Sequence, residues 1–223
     1  MHVPSRLAAL LLLPLLADPA PAAAACRVTL VDPARPIRGL WTQHDFVGGS
    51  RFENAVLDGV PVITARSAGA SGLYLDVERD VAALPVARWR WRADAVQPGA
   101  DLRRTEAEDF SAAIFFVFGE PSLFRRSVPT LAYAVTATPG ETGTLIPSPR
   151  HPKTRVTVKL RGPEAAGRWV EEERDLLADY RRAFGRDPEE PLRYVALFSD
   201  DDQTRQPASA AYGAVTLSER GCP

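Results

Sequence analysis

One hexapeptide restricts the fold of this chain more than any other feature. Ala87-Arg88-Trp89-Arg90-Trp91-Arg92 alternates bulky apolar and cationic side chains without a break. In an extended strand successive side chains point to opposite faces, so Trp89 and Trp91 share one side and Arg88, Arg90 and Arg92 the other. A helix would instead spread rings and guanidinium groups around one circumference. The segment therefore predicts a strand over residues 86–92, with tryptophans turned to a core and arginines turned to water or to carboxylates on neighbouring strands. An arginine row on an outer face has a second use, because planar guanidinium groups offer paired donors to an anionic or hydroxyl-rich ligand. Arg90 and Arg92 are thus candidate ligand contacts.

The rest of the chain repeats the strand signal. Runs rich in β-branched and aromatic residues, punctuated by Gly, Pro and Asp, predict strands at 27–31, 60–66, 72–77, 111–118, 130–136, 154–160, 193–199 and 214–217. Such spacing implies an all-β, two-sheet sandwich. One amphipathic helix is expected in a connection, over about residues 171–184. Glu171, Glu172 and Glu173 would open it, Leu176, Leu177, Tyr180 and Phe184 form an apolar stripe, Arg181 and Arg182 occupy its last turn, and Gly185 suits a C-cap. Trp169, just before it, is expected on the packed side of the same cover.

Arg6 precedes an apolar run from Leu7 to Leu16, followed by Pro19, Pro21 and the small-residue stretch Ala22 to Ala25. That order is the order of a secretory signal peptide, and the run is too short for a permanent span of a bilayer about 30 Å thick. The expected division is a leader over 1–25 and one sandwich domain over 26–223, exported to the periplasm or secreted. Two cysteines remain, Cys26 and Cys222. In an oxidising compartment they can form a disulfide tying the chain ends, since the strands at 27–31 and 214–217 are natural neighbours in a closed sandwich. The alternative is lipidation of Cys26 and an anchor in the envelope.

Composition excludes some partners. Lys plus Arg total 27 and Asp plus Glu 28, a net charge of -1. Removing Arg6 and Asp18 with the leader takes one from each count and leaves the net unchanged. A nucleic-acid partner calls for surplus positive charge on one face, and none is apparent. Catalytic spacings are also missing, with no His-Glu-x-x-His pair, nucleophile elbow or glycine-rich phosphate loop. His44 and His151 lie far apart, so a histidine metal centre is not expected.

Two acidic groups are the main polar features. Ser199-Asp200-Asp201-Asp202-Gln203-Thr204 follows a predicted strand, and three successive carboxylates repel unless solvent, a cation or arginines compensate them. The structural reading is an exposed loop. The functional reading is a calcium site with oxygens from Asp200 and Asp202, of a kind other than the helix-loop-helix motif. Glu106, Glu108 and Asp109 form the second group. Facing carboxylates about 5–9 Å apart would allow glycoside hydrolysis.

The landmarks Gly72-Leu73 with Trp89-Arg90-Trp91-Arg92, Glu108-Asp109-Phe110, Leu131-Ala132-Tyr133, the stretch from Gly167 to Gly185, Ser199 to Thr204 and Ala211-Tyr212-Gly213 cover most of the expected mature chain. In order and spacing they resemble the domain of unknown function 3047 family of exported bacterial proteins. The resemblance implies a jelly-roll-like sandwich without an assigned activity. The chain departs from the family pattern at Glu108, Ala113, Gln203 and Ala214, which puts the integrity of a shared polar site in doubt.

The leading functional expectation is non-catalytic binding of a carbohydrate or envelope component in a sandwich cleft. Tyr133 and Tyr212 would be the aromatic platforms, and Asp200, Asp202, Arg90 and Arg92 the hydrogen-bonding groups. A glycan hydrolase or lyase using paired carboxylates is the second expectation. A structural envelope protein, which predicts an exposed apolar patch, is the third.

Overall fold

The computed structural model describes residues 26–122 and 127–222, so the expected leader lies outside the described residues. Among the described residues, thirteen strands form two stacked sheets. The six-stranded sheet runs β11 (Val170–Asp175), β6 (Val86–Ala93), β13 (Ser209–Ser218), β4 (Val60–Arg66), β3 (Arg51–Leu57), with β1 (Arg27–Val31) also pairing β13. The seven-stranded sheet runs β2 (Trp41–Gly48), β5 (Gly69–Arg79), β12 (Leu192–Phe198), β7 (Ala112–Phe118), β8 (Thr130–Val135), β10 (Arg155–Arg161), β9 (Leu145–Pro147). All pairings are antiparallel except β8 with β10. The architecture is the expected jelly-roll-like sandwich with one α-helix. No helix among the described residues is long and apolar enough to cross a membrane.

Alternation along β6 takes the predicted form. Trp89 and Trp91 are buried, meet edge to face at 5.6 Å, and Trp89 packs on Phe116 and Tyr133 of the opposite sheet. Burying one aromatic of this kind contributes about 1.5–3 kcal/mol. Cys26 and Cys222 are joined, with Cα atoms 5.8 Å apart, where β1 lies against β13. Lipid attachment at Cys26 needs a free sulfur, which this bond removes.

The helix expectation is corrected at its start. Helix α1 spans Leu176–Phe184, and the three glutamates before it lie in β11. Register with β6 decides this: Glu171 stands opposite Arg90, Glu173 stands opposite Arg88 and pairs with it, and Glu172 points inward. There Arg161 grips Glu172 with two bonds of 2.9 Å, and the Trp91 indole donates to it. A helix would have left Arg88 and Arg161 without their acids. The helix opens on Asp175, whose carboxylate accepts from the Ala178 amide, and closes on Gly185 at φ 70°.

Strands β2, β3 and β9 were also missed. β2 and β3 are edge strands with mostly exposed side chains, so they carry little apolar periodicity. β9 is three residues long.

Candidate functional site

The seven-stranded sheet is apolar on both sides. Ala112, Ile114, Phe116 and Phe118 of β7 join the core between the sheets, whereas Ala113, Phe115 and Val117 join a second cluster on the outer face. Near-continuous apolar runs mark strands covered on both faces. The cover is partial, and beside it lies a cleft of about 350 Å³.

Aromatic rings form one wall. Phe115 and Phe198 stack at 4.1 Å, and Tyr74 meets Phe198 edge-on at 5.8 Å. Glycine makes this packing fit: Gly72 lies opposite Phe198, and a Cβ there would fall 2.4 Å from the Phe198 ring. At the mouth, a bulge in β2 leaves Phe46 as the extra residue between the pairs Asp45–Ser71 and Val47–Ala70. The bulge turns Phe46 over the cleft, stacked on Phe198 at 6.2 Å yet 60% exposed. The hydroxyl of Tyr74 meets no hydrogen-bond partner among the described residues, and burial pushes its pKa up to about 12.

Charged groups form the other wall. Glu108 is buried, accepts from Ser148 at 2.8 Å, and pairs with Arg150 at 3.2 Å and with Arg155. Arg155 also donates to Ser148 at 2.6 Å and lies 5.9 Å from the Phe115 ring centre. His151 stands at the rim, its pKa lowered by partial burial and by the neighbouring Arg155. The loop after β12 supplies the remaining acids, and each of its three carboxylates has a different partner. Asp201 turns away, accepting from Gly69 N at 2.7 Å and Ser67 Oγ at 2.9 Å. Asp200 turns inward to the Phe110 amide, while Asp202 opens on the cleft beside Gln203. Asp109 is fully buried and holds the loop by accepting from Gln203 N and Thr204 N at 3.2 and 2.6 Å.

Ligand oxygens of Asp109, Asp200 and Asp202 lie within 4.8 Å of one another, an arrangement able to hold a metal ion. Burial first, then the Asp109 and Asp202 charges, pushes the Asp200 carboxyl well above its ordinary range. Asp202 is raised for the same reasons, burial before the Asp109 charge.

The residues singled out in the sequence do not converge. Asp200 and Asp202 line the cleft, but Arg90 and Arg92 lie on the outer face of the other sheet, where Arg92 pairs with Asp94 at 3.0 Å. Tyr133 and Tyr212 have no accessible surface and offer no platform. Their hydroxyls are internal ties: Tyr133 donates to Asp179 of α1 at 2.9 Å, and Tyr212 donates to the Phe198 carbonyl and accepts from Ala113 N. Phe46, Tyr74, Arg150, His151 and Arg155 were overlooked as site residues. The Arg150-His151 pair and Arg155, five residues apart in a polar turn, were the one local hint.

Residues 40–216 match the family described as "Protein of unknown function (DUF3047)". No curated protein matches the sequence. Among solved structures, the chain is similar to the family 30 carbohydrate-binding module of a cellulosomal cellulase of Clostridium thermocellum, with 9% identity, TM-score 0.49, and coverage of 87% of this chain and 98% of that one. A family 11 carbohydrate-binding module of the same organism gives 10% identity, TM-score 0.43, and coverage of 88% and 96%. An endoglucanase of Rhodothermus marinus gives 12%, TM-score 0.46, and coverage of 86% and 99%.

Proposed function

Because the chain belongs to the DUF3047 family, whose description assigns no activity, we propose a function from the cleft itself: it binds a neutral, hydroxyl-rich ligand of the carbohydrate class. The observation that carries this reading is Phe46, an exposed ring delivered by a bulge to the mouth of a cleft with an aromatic wall. Apolar ring faces suit the C–H faces of a sugar, and the opposite wall supplies donors and acceptors to its hydroxyls. Electrostatics favour a neutral ligand over a polyanion. Glu108 is matched by Arg150 and Arg155, and the raised Asp200 pKa favours its uncharged form.

Calcium on Asp109, Asp200 and Asp202 belongs to the same proposal, since a cation relieves repulsion among three close carboxylates. Thermal unfolding with calcium against EDTA tests it. A higher midpoint with calcium supports the site, and an unchanged one rejects it. Export of the mature domain to the periplasm or outside the cell, after loss of the leader, is proposed on the leader's pattern and tested by N-terminal sequencing of the exported protein.

A hydrolytic reading draws on Asp202, a partly exposed acid of raised pKa sharing the cleft with Glu108. Against it, two arginines already occupy Glu108. Calorimetry with gluco-, xylo- and chito-oligosaccharides, paired with an assay for released reducing ends, separates the readings. Heat without product supports binding, product supports hydrolysis, and neither rejects both.

A further inference from the structure

On the opposite side of the molecule, across the outer face of the six-stranded sheet, runs a groove of about 600 Å³ lined by Arg27, Arg88, Arg90, Glu171, Glu173 and Thr216. Two of these charges are neutralised locally: Arg88 donates to Glu173 at 2.7 Å and also to Ser218. Arg90 and Glu171 behave differently. They stand directly opposite each other on β6 and β11, where side chains are neighbours, yet no ion pair joins them.

The packing of Arg90 accounts for this. Its guanidinium lies 4.2 Å from the centre of the Trp169 ring, and Trp169 is anchored by its indole N–H to Asp58 at 3.0 Å. Beneath it passes β13 at the irregularity between Tyr212 and Val215, where a Cβ on Gly213 would come within 2.5 Å of Arg90 Cγ. Ring and glycine together hold the side chain flat. Its Nε is buried and meets no acceptor, an arrangement that ordinarily costs stability. The Arg90 guanidinium, held in place with only its terminal nitrogens free to meet a ligand, and the Glu171 carboxylate, joined to it by no ion pair, present donors and an acceptor of opposite charge to the same groove.

We infer that this groove is a second binding site, for a small dipolar ligand whose carboxylate is taken by Arg90 and whose ammonium group is taken by Glu171. Free amino acids and short peptides share that chemistry. The site is independent of the cleft on the seven-stranded sheet, and its test does not depend on the cleft binding anything.

The test is a titration of the isotope-labelled protein followed through the Arg90 Nε–H and Trp169 Nε1–H signals. The probes are alanine, alanylalanine, N-acetylalanine, which keeps only the carboxylate, and alaninamide, which keeps only the ammonium. Alanine or alanylalanine should shift both signals, and whichever binds more tightly identifies the free amino acid or the peptide as source. Each singly charged probe should bind about tenfold more weakly or worse. Arg90→Gln should abolish the response, and Glu171→Gln should reduce the dipolar probe to the level of N-acetylalanine. If the wild-type signals stay unmoved by every probe, or if N-acetylalanine binds as well as the dipolar ligands, the inference is overturned. That judgement needs only the wild-type protein, whatever the variants do to folding.

Discussion

The two outer faces of the sandwich are built from opposite kinds of strand. On the six-stranded side, β6 alternates, and its arginines lie half-buried against the glutamates of β11 or against Asp94 and Trp169. On the seven-stranded side, β7 is buried at all seven positions, and its outward Phe115 stacks on Phe198 at the wall of a cleft. The same core lies beneath both. The contrast teaches that alternation and its absence are both informative: a strand with one wet face ends at its own charges, whereas a strand with two dry faces needs a second cover. Where that cover stops, apolar surface is left open to a ligand.

The disulfide separates the two faces most sharply, because it closes the six-stranded side alone. Replacing Cys26 and Cys222 together by alanine should cost about 4 kcal/mol in chemical denaturation, given the long loop that it closes, while leaving cleft binding unchanged. Next comes the outer-face pair. Phe115→Ala should cost about 3 kcal/mol or more, and Arg92→Ala no more than about 1 kcal/mol, because its ion pair with Asp94 is partly solvated. Equal costs at the two sites would break the comparison. Glu108→Gln, which strips Arg150 and Arg155 of their acid, should fall between them at about 1–3 kcal/mol.

The smallest effect is a pH dependence. Asp200 and Asp202 hold their protons in the folded chain at pH values where the unfolded chain has released them. Their contribution to stability is therefore present at and below the ordinary carboxylate range near about pH 4 and is lost as pH rises through the elevated folded values. Metal-free unfolding curves in EDTA should show that decline, and Asp200→Asn should flatten it. A wild-type slope of the opposite sign would mean that the cluster is compensated by charges other than those described.

How much of this was legible beforehand follows from the range of the interactions. β6 was readable because alternation is local, and β1, β4 and the C-terminal part of β13 emerged from apolar runs in the same way. The three glutamates suggest a helix because the strand that they pair with, β6, lies far away in the chain, and an acidic triplet before an apolar stripe is locally the start of a helix. Tyr133 and Tyr212 are illegible as internal ties because a sequence gives no sign of whether a lone tyrosine in a strand faces the core or the outer side. The acidic loop after β12 was found, but its assembly with Glu108, Arg150, Arg155 and the bulge-directed Phe46 depends on the register of strands far apart in the chain. Arg90 and Arg92 lie on a different sheet from the strand that carries Asp200 and Asp202, a separation fixed by the same long-range register. Alternation says that two faces differ, not which face a distant loop will reach.

The central claim is that the open end of the seven-stranded face, rather than the arginine-bearing face, receives a neutral saccharide. Backbone amide shifts mapped during titration with an oligosaccharide that produces heat in calorimetry test it most directly. The account predicts changes gathered at Phe46, Val47, Tyr74, Asp202 and Gln203, abolished by Phe46→Ala. Changes centred on Arg88, Arg90 and Thr216, or an undiminished response in Phe46→Ala, would contradict it.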